Sequence, residues 1–191
     1  EVIGRSAITE VVAGVPLRIT ADAFFQNSTA GAEVLVELVD DAIDVGPDDV
    51  VLDAYAGGGL FGATTAGGAG RVIAIESDPL ALGDLRHNLA GSEARIVDGR
   101  VEEAARTIGE RWDVAIVDPP RSGLGAEGVT AIVGGRPRTI AYVSCDPAAL
   151  ARDARLLGEA GFVLERVTPV DLFPQTYHVE AVAVFRYGAP S

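Results

Sequence analysis

The strongest constraint on the fold is a rhythm in which short apolar runs alternate with segments that open on helix-start signals. Runs at 50–54, 71–76, 94–98, 112–117 and 139–144 are five or six residues long and rich in Val, Ile and Ala. Runs this short and this continuous read as buried strands. Asp78-Pro79 and Asp146-Pro147 each set a capping aspartate before a proline suited to the first helical turn. They predict one helix from 79 to about 90 and another from 147. A further helix is predicted over 28–43, with Ser28 as its cap and Val34, Leu35, Leu38 and Val39 as its apolar stripe. Gly46-Pro47 then breaks the chain. Upstream, 15–20 alternates like a strand and 21–27 forms a loop with two aromatics. Downstream, 163–167 and 179–185 read as closing strands. Strands separated by helices predict an open, mostly parallel α/β sheet. In such sheets ligands bind beyond the carboxyl ends of the strands.

Charge and absences narrow the function. A net charge of -13 counts against a broad phosphate-binding surface, because affinity for nucleic acid comes mainly from cations that displace counterions. An RNA ligand would need grip from another domain or from basic residues gathered at one mouth. All fifteen basic residues are arginine, and methionine is missing, so Glu1 is not expected to be a natural start and the chain reads as a piece of something longer. The single cysteine excludes an internal disulfide and any multi-cysteine metal site, and no metal is expected. No apolar run reaches the roughly 18 residues of a membrane helix and no basic-then-apolar leader opens the chain. The expected location is cytoplasmic.

The strand at 50–54 runs into a glycine cluster in which Gly57, Gly59 and Gly62 spell GxGxxG. Glycines let a backbone approach a ligand closely. Glu76 ends the next strand, where an acidic residue suits ribose hydroxyls. Three readings compete: a nicotinamide dinucleotide, S-adenosylmethionine, or a tight turn that only packs helix on strand. Asp53, just before the loop, would repel a pyrophosphate but suits a cationic methionine moiety. Asp98, ending the third strand, is placed for an adenine amino group. Both favour S-adenosylmethionine, while Glu76 serves either cofactor.

Three further strand ends carry reactive residue types. Asp118-Pro119-Pro120-Arg121 follows the fourth strand; the prolines stiffen a loop, and an arginine stands where amino-group methyltransferases usually place an aromatic. Cys145 lies between the fifth strand and a helix start. A lone cysteine is more often a small buried hydrophobe, yet helix-start amides favour a thiolate. His178 and Glu180 open the last strand; by spacing alone they read equally as a structural histidine and a solvated carboxylate.

Together these segments resemble the catalytic domain of the RNA uracil-5 methyltransferase family, which makes 5-methyluridine in transfer and ribosomal RNA. The residues that carry the resemblance are Phe24-Phe25-Gln26, residues 53–61, Asp118-Pro119-Pro120-Arg121-Ser122-Gly123, Ser144-Cys145-Asp146-Pro147 with Arg152-Asp153, and Phe173-Pro174-Gln175-Thr176 with His178-Val179-Glu180. They occur in family order across nearly the whole chain. The resemblance implies a Rossmann-like seven-stranded α/β methyltransferase fold over 28–191, preceded by a hairpin and a substrate and cofactor loop over 1–27. It implies S-adenosylmethionine as cofactor, held by Gln26, Asp53, Tyr55, Gly57, Leu60, Glu76, Asp98 and Asp118. It implies Cys145 as nucleophile and Glu180 as general base. Phe24, Phe25, Arg121 and His178 would face a uridine of tRNA or rRNA. Ser28, Leu60 and Asp146 each replace an asparagine usual in the family, so contact at Leu60 is expected through its backbone. The family's upstream RNA-binding barrel has no counterpart here, so RNA affinity is expected to need another domain. The alternatives are methylation of another nucleobase or a small molecule, or a module that binds cofactor or RNA without turnover.

Overall fold

The computed structural model describes residues 6–172, 175–176 and 179–188. Strands β1 (Ala7–Val12) and β2 (Val15–Thr20) pair antiparallel around Ala13-Gly14, both at positive φ, the backbone a two-residue hairpin turn demands. After α1 (Thr29–Asp40) comes the main alternation: β3 (Val50–Ala54), α2 (Leu60–Ala63), a 3-10 turn (Thr65–Gly68), β4 (Arg71–Glu76), α3 (Pro79–Asn88) and β5 (Ala94–Asp98). It continues through α4 (Val101–Thr107), β6 (Val114–Val117), α5 (Gly125–Gly134), β7 (Thr139–Ser144) and α6 (Pro147–Glu159), and closes with β8 (Phe162–Val170) and β9 (Glu180–Tyr187). Seven strands form one sheet in the order β5-β4-β3-β6-β7-β9-β8. β9 runs antiparallel to β7 and β8, while β5, β4, β3, β6 and β7 are mutually parallel. This is the expected Rossmann-like α/β arrangement.

Register brings the strand ends into line. Ala54 stands opposite Ile75 on one side and Val117 on the other, Val117 opposite Tyr142, and Glu76 opposite Asp98. The residues that follow each strand therefore emerge along one edge. The topology reverses direction between β3 and β6, leaving there the crevice in which such sheets bind ligands.

Two apolar layers hold the sheet. One joins Leu35, Val36 and Val39 of α1 to Leu82, Leu85 and Leu89 on one face; the other joins Val101, Ile108, Trp112, Ile132 and Leu157 on the opposite face. Fully burying one such side chain contributes about 1.5–3 kcal/mol. No helix among the described residues is long and apolar enough to cross a membrane.

The predicted caps are present: Ser28 accepts from Gly31 N, Asp78 from Leu80 N and Asp146 from Ala149 N. The predicted stripe on α1 is rotated. Val34 is exposed and Val36 buried, because the inward face runs Gly31, Ala32, Leu35, Val36, Val39. Small residues at 31 and 32 let this face press against neighbouring elements, and a pattern sought only among large apolar residues overlooks them. The helix also ends at Asp40 instead of 43, although Ala42 and Ile43 stay buried. Trp112 lies ahead of β6, its ring over Gly135 and its indole N–H donating to the Ile132 carbonyl at 3.1 Å.

Candidate active site

The carboxyl ends of the parallel strands open on a cleft of about 790 Å³. One wall is the turn from β3 into α2. Asp53 accepts the Gly62 N–H at 2.8 Å and so ties α2 back to β3. Its carboxyl is pushed up to about 7, chiefly by burial, with the Gly62 bond opposing and the charge of Glu76 adding to the rise. It does not line the cleft; it faces the Gly62 amide behind the loop. Gly59 caps α2 at φ 90, and a Cβ there would stand 2.8 Å from Leu85 Cδ1. Both demands select glycine.

Tyr55, Gly57, Leu60 and Glu76 do line the cleft. The Tyr55 hydroxyl donates to Glu102 at 3.0 Å; burial and then that carboxylate raise the phenol well above its ordinary range, so it is a neutral donor. Glu76 accepts Gly57 N–H at 2.7 Å on one oxygen, and Ser77 and Asp78 N–H at 2.6 and 2.7 Å on the other. Its carboxylate is oriented before any ligand arrives. Asp98 differs from the expectation: its side chain is exposed, 3.9 Å from Arg86, and the cleft wall is built from Gly99 and Arg100 instead.

The opposite wall gathers groups from distant parts of the chain. Asp118, following β6, receives Gln26 Nε2 at 3.4 Å. Burial pushes its carboxyl up to about 8, and the charges of Glu180 and Asp53 add to this. Phe24 is 71% exposed at the mouth, whereas Phe25 packs against the core; both line the cleft, as does the exposed Arg121.

Cys145 and Glu180 meet through the sheet. Ser144 of β7 pairs with Ala181 of β9, so the next residue on each side, Cys145 and Glu180, leaves the ladder beside the other. Both line the cleft. Burial pushes the half-buried Cys145 thiol up and the charge of Glu180 adds to it; Arg121 opposes, Asp118 raises it further, and a backbone hydrogen bond offsets part of this. Glu180 is 5% exposed, and burial raises its carboxyl too. His178 lies outside the described residues.

Sequence reasoning missed several wall residues. Asp84 is 1% exposed and takes Thr20 N–H at 2.6 Å, Thr20 Oγ1 at 2.7 Å and Arg18 at 3.1 Å. Asn88 receives Arg18 N–H at 2.7 Å and donates to the carbonyls of Arg18 and Gly58 at 2.9 and 2.8 Å. The signal was available in part: positions 84 and 88 share one face of α3 with the apolar Ala81 and Leu85, where a polar pair calls for partners. Glu102 had no comparable signal.

Residues 109–186 match the family model described as tRNA (Uracil-5-)-methyltransferase. An "Uncharacterized RNA methyltransferase" of Streptomyces avermitilis is 39% identical over 97% of this chain and 44% of its own length. One from Gloeobacter violaceus is 41% identical over 94% of this chain and 40% of its own. The chain thus spans less than half the length of these relatives. Among solved structures, Pyrococcus abyssi tRNA (uracil-54, C5)-methyltransferase in complex with S-adenosyl-L-homocysteine is 31% identical, with a TM-score of 0.82 over 95% of this chain and 45% of that one. The M. jannaschii tRNA m1G37 methyltransferase shares the fold at 16% identity, with a TM-score of 0.75 over 97% of this chain and 58% of that one.

Proposed function

Because the chain carries an RNA uracil-5 methyltransferase family domain of the S-adenosylmethionine-dependent fold, we propose that it transfers a methyl group from S-adenosylmethionine to carbon 5 of a uridine in RNA, with Cys145 as nucleophile and Glu180 as base. The observation that carries this reading is the adjacency of Cys145 and Glu180 across the β7–β9 pair, on the wall of one cleft.

The residues present suit that cofactor. Glu76, held by three amides, would receive the ribose hydroxyls; Gly57 and Tyr55 border the same space. Glu76, Glu102 and Glu180 make the cleft acidic, which favours a cationic sulfonium over a pyrophosphate. The cofactor supplies an electrophilic methyl group on that sulfur.

Carbon 5 of uracil is too weak a nucleophile to take the methyl unaided. The Cys145 thiolate would add to carbon 6 and place electron density on carbon 5, dividing one hard step into easier ones. Once carbon 5 carries the methyl group, Glu180 would remove the carbon 5 proton, and the re-forming double bond expels the thiolate. Its raised affinity for protons, a consequence of burial, suits that task. The base must leave its stack to reach the cleft, and the exposed ring of Phe24 at the mouth offers it a stacking partner.

Full-length protein incubated with S-adenosylmethionine and RNA containing 5-fluorouridine is expected to gain the mass of a covalent RNA adduct, since fluorine cannot leave as the proton does. Cys145→Ala should form none. Wild-type protein that methylates RNA yet never forms an adduct would overturn the covalent route.

A further inference from the structure

Asp153, in the middle of α6, is fully buried, and five donors converge on it. Leu124 N–H and the Tyr142 hydroxyl reach Oδ2 at 2.7 and 2.8 Å; Gly125 N–H at 3.1 Å, with Arg152 Nε and Nη2 at 2.9 and 2.8 Å, reach Oδ1. Arg152 Nη2 also donates to the Ser122 carbonyl at 2.6 Å. Gly123, at φ 71, fits between them: a Cβ there would lie 2.4 Å from Asp153 Oδ2 and 2.7 Å from Arg152 Nη2. A buried carboxylate with this many partners fixes whatever it binds. Here it binds the loop from β6 to α5 on one side, and β7 and α6, the two elements that flank Cys145, on the other.

That loop carries Arg121, which lies three residues before Leu124 and lines the same cleft as Cys145, close enough for its charge to act on the thiol. Among the described residues, no hydrogen bond or ion pair of its own holds the Arg121 side chain in place. Its distance from Cys145 is therefore set by the loop backbone, and the loop backbone is set by Asp153. We propose that Asp153, with Tyr142 and Arg152, is a positioning residue that holds Arg121 at a fixed place relative to Cys145. The inference rests on the proposed nucleophilic role of Cys145, but the spacing it concerns can be measured without RNA.

Among the described residues, the charges that act on the thiol are Glu180 from β9, Asp118 from the end of β6 and Arg121 from the loop, all lining the same cleft. Of these three charges Arg121 is the one that favours the thiolate, with a backbone hydrogen bond acting in the same direction, so moving it away should raise the pH at which Cys145 becomes reactive. The test follows alkylation of Cys145 by iodoacetamide against pH in full-length wild type, Asp153→Asn, Arg121→Gln and the double variant, alongside kcat and KM for RNA methylation. Asp153→Asn is expected to shift the alkylation midpoint upward, as Arg121→Gln does, and the double variant should shift no further than Arg121→Gln. kcat should fall by about 10- to 100-fold, with KM for the cofactor changed less than about twofold.

A merely structural Asp153 would lower the melting temperature and leave the midpoint where it was; that result, or additive shifts in the double variant, overturns the proposal. Should Asp153→Asn not fold, Tyr142→Phe removes one of the five bonds at unchanged shape and must move the midpoint in the same direction. Failure of the wild type to form the 5-fluorouridine adduct, with the coupled alkylation shifts intact, would sink the covalent reading and leave the positioning role standing.

Discussion

The two walls of the cleft treat their carboxylates in opposite ways. On the wall proposed for the cofactor, Glu76 is wrapped by the amides of Gly57, Ser77 and Asp78, all drawn from within twenty residues of chain. On the wall proposed for catalysis, Asp118 receives one long side-chain bond among the described residues, from Gln26, ninety-two residues away, and shares its space with Glu180 and a thiol. One wall is finished before ligand arrives. The other buries Asp118 beside Glu180 and the thiol: burial first, and then the charge of Glu180, raises the proton affinity of Asp118 and of Cys145. Bringing a cationic sulfur between them would relieve what burial has imposed, so cofactor binding and thiol activation are expected to be linked. A binding site can be built from local backbone geometry, whereas a reaction site has to bring charges together and hold them there.

The largest break in that comparison should come from Glu180. Glu180→Gln keeps the shape and one acceptor while removing the proposed base, so kcat should fall by about 10²–10⁴-fold, with cofactor affinity little changed. A covalent RNA adduct should then accumulate on ordinary substrate, read by intact mass. A variant that instead lost cofactor affinity and kept its turnover would place Glu180 on the wrong wall.

Asp53 tests the other wall through stability. Its folded-state value of about 7 lies above the ordinary 3.8, so the folded protein holds the proton more tightly than the unfolded chain. Ionised above pH 7, the group destabilises the fold; that penalty is relieved as pH falls from about 7 toward 4. The slope is about 1.4 kcal/mol per pH unit inside that window. Without cofactor, the melting temperature should therefore rise by about 2–5 °C between pH 8 and pH 6. Asp118, raised to about 8, acts in the same direction. Asp53→Asn keeps an acceptor for Gly62 and should flatten part of the rise. A melting temperature that falls over the same interval would contradict the burial of both groups.

The same division decides what could be read from the sequence. Strands β3, β4, β5 and β7 were legible to the residue: β3, β4 and β7 because a largely buried strand between turns leaves a continuous apolar run, and the half-buried edge strand β5 because its Ile96-Val97 run lies between polar turns. The caps at Ser28, Asp78 and Asp146 were legible because they are local. Glu76 was placed correctly on the cleft, since a strand end needs only a count of residues. Asp98 was not: the same count puts it at a strand end, but β5 is the edge strand, and its last side chain turns to solvent. The meeting of Cys145 with Glu180 depends on β9 slotting antiparallel between β7 and β8. No local pattern encodes that insertion, so spacing left Glu180 ambiguous and only the family resemblance singled it out. Asp153 stood inside a motif of that resemblance without a role, because its partners at 122–125 and 142 converge only in space.

The smallest expected effect concerns the seam between hairpin and cofactor wall. Asn88 uses its amide as a strand would, taking the Arg18 N–H and returning a bond to the Arg18 carbonyl, while its second N–H holds the Gly58 carbonyl. It thereby fixes the glycine turn from outside. Asn88→Ala removes these bonds at a partly buried site, where the net worth of one is about 1 kcal/mol. Cofactor affinity, measured by calorimetry, should weaken by about fivefold, with kcat at saturating cofactor falling less than affinity does. The reverse pattern, a loss of kcat at unchanged affinity, would mean that β2 acts on the chemistry and not on the glycine turn. The two walls would then be one mechanical unit, and the contrast between a prebuilt binding wall and a charge-strained reaction wall would no longer describe this cleft.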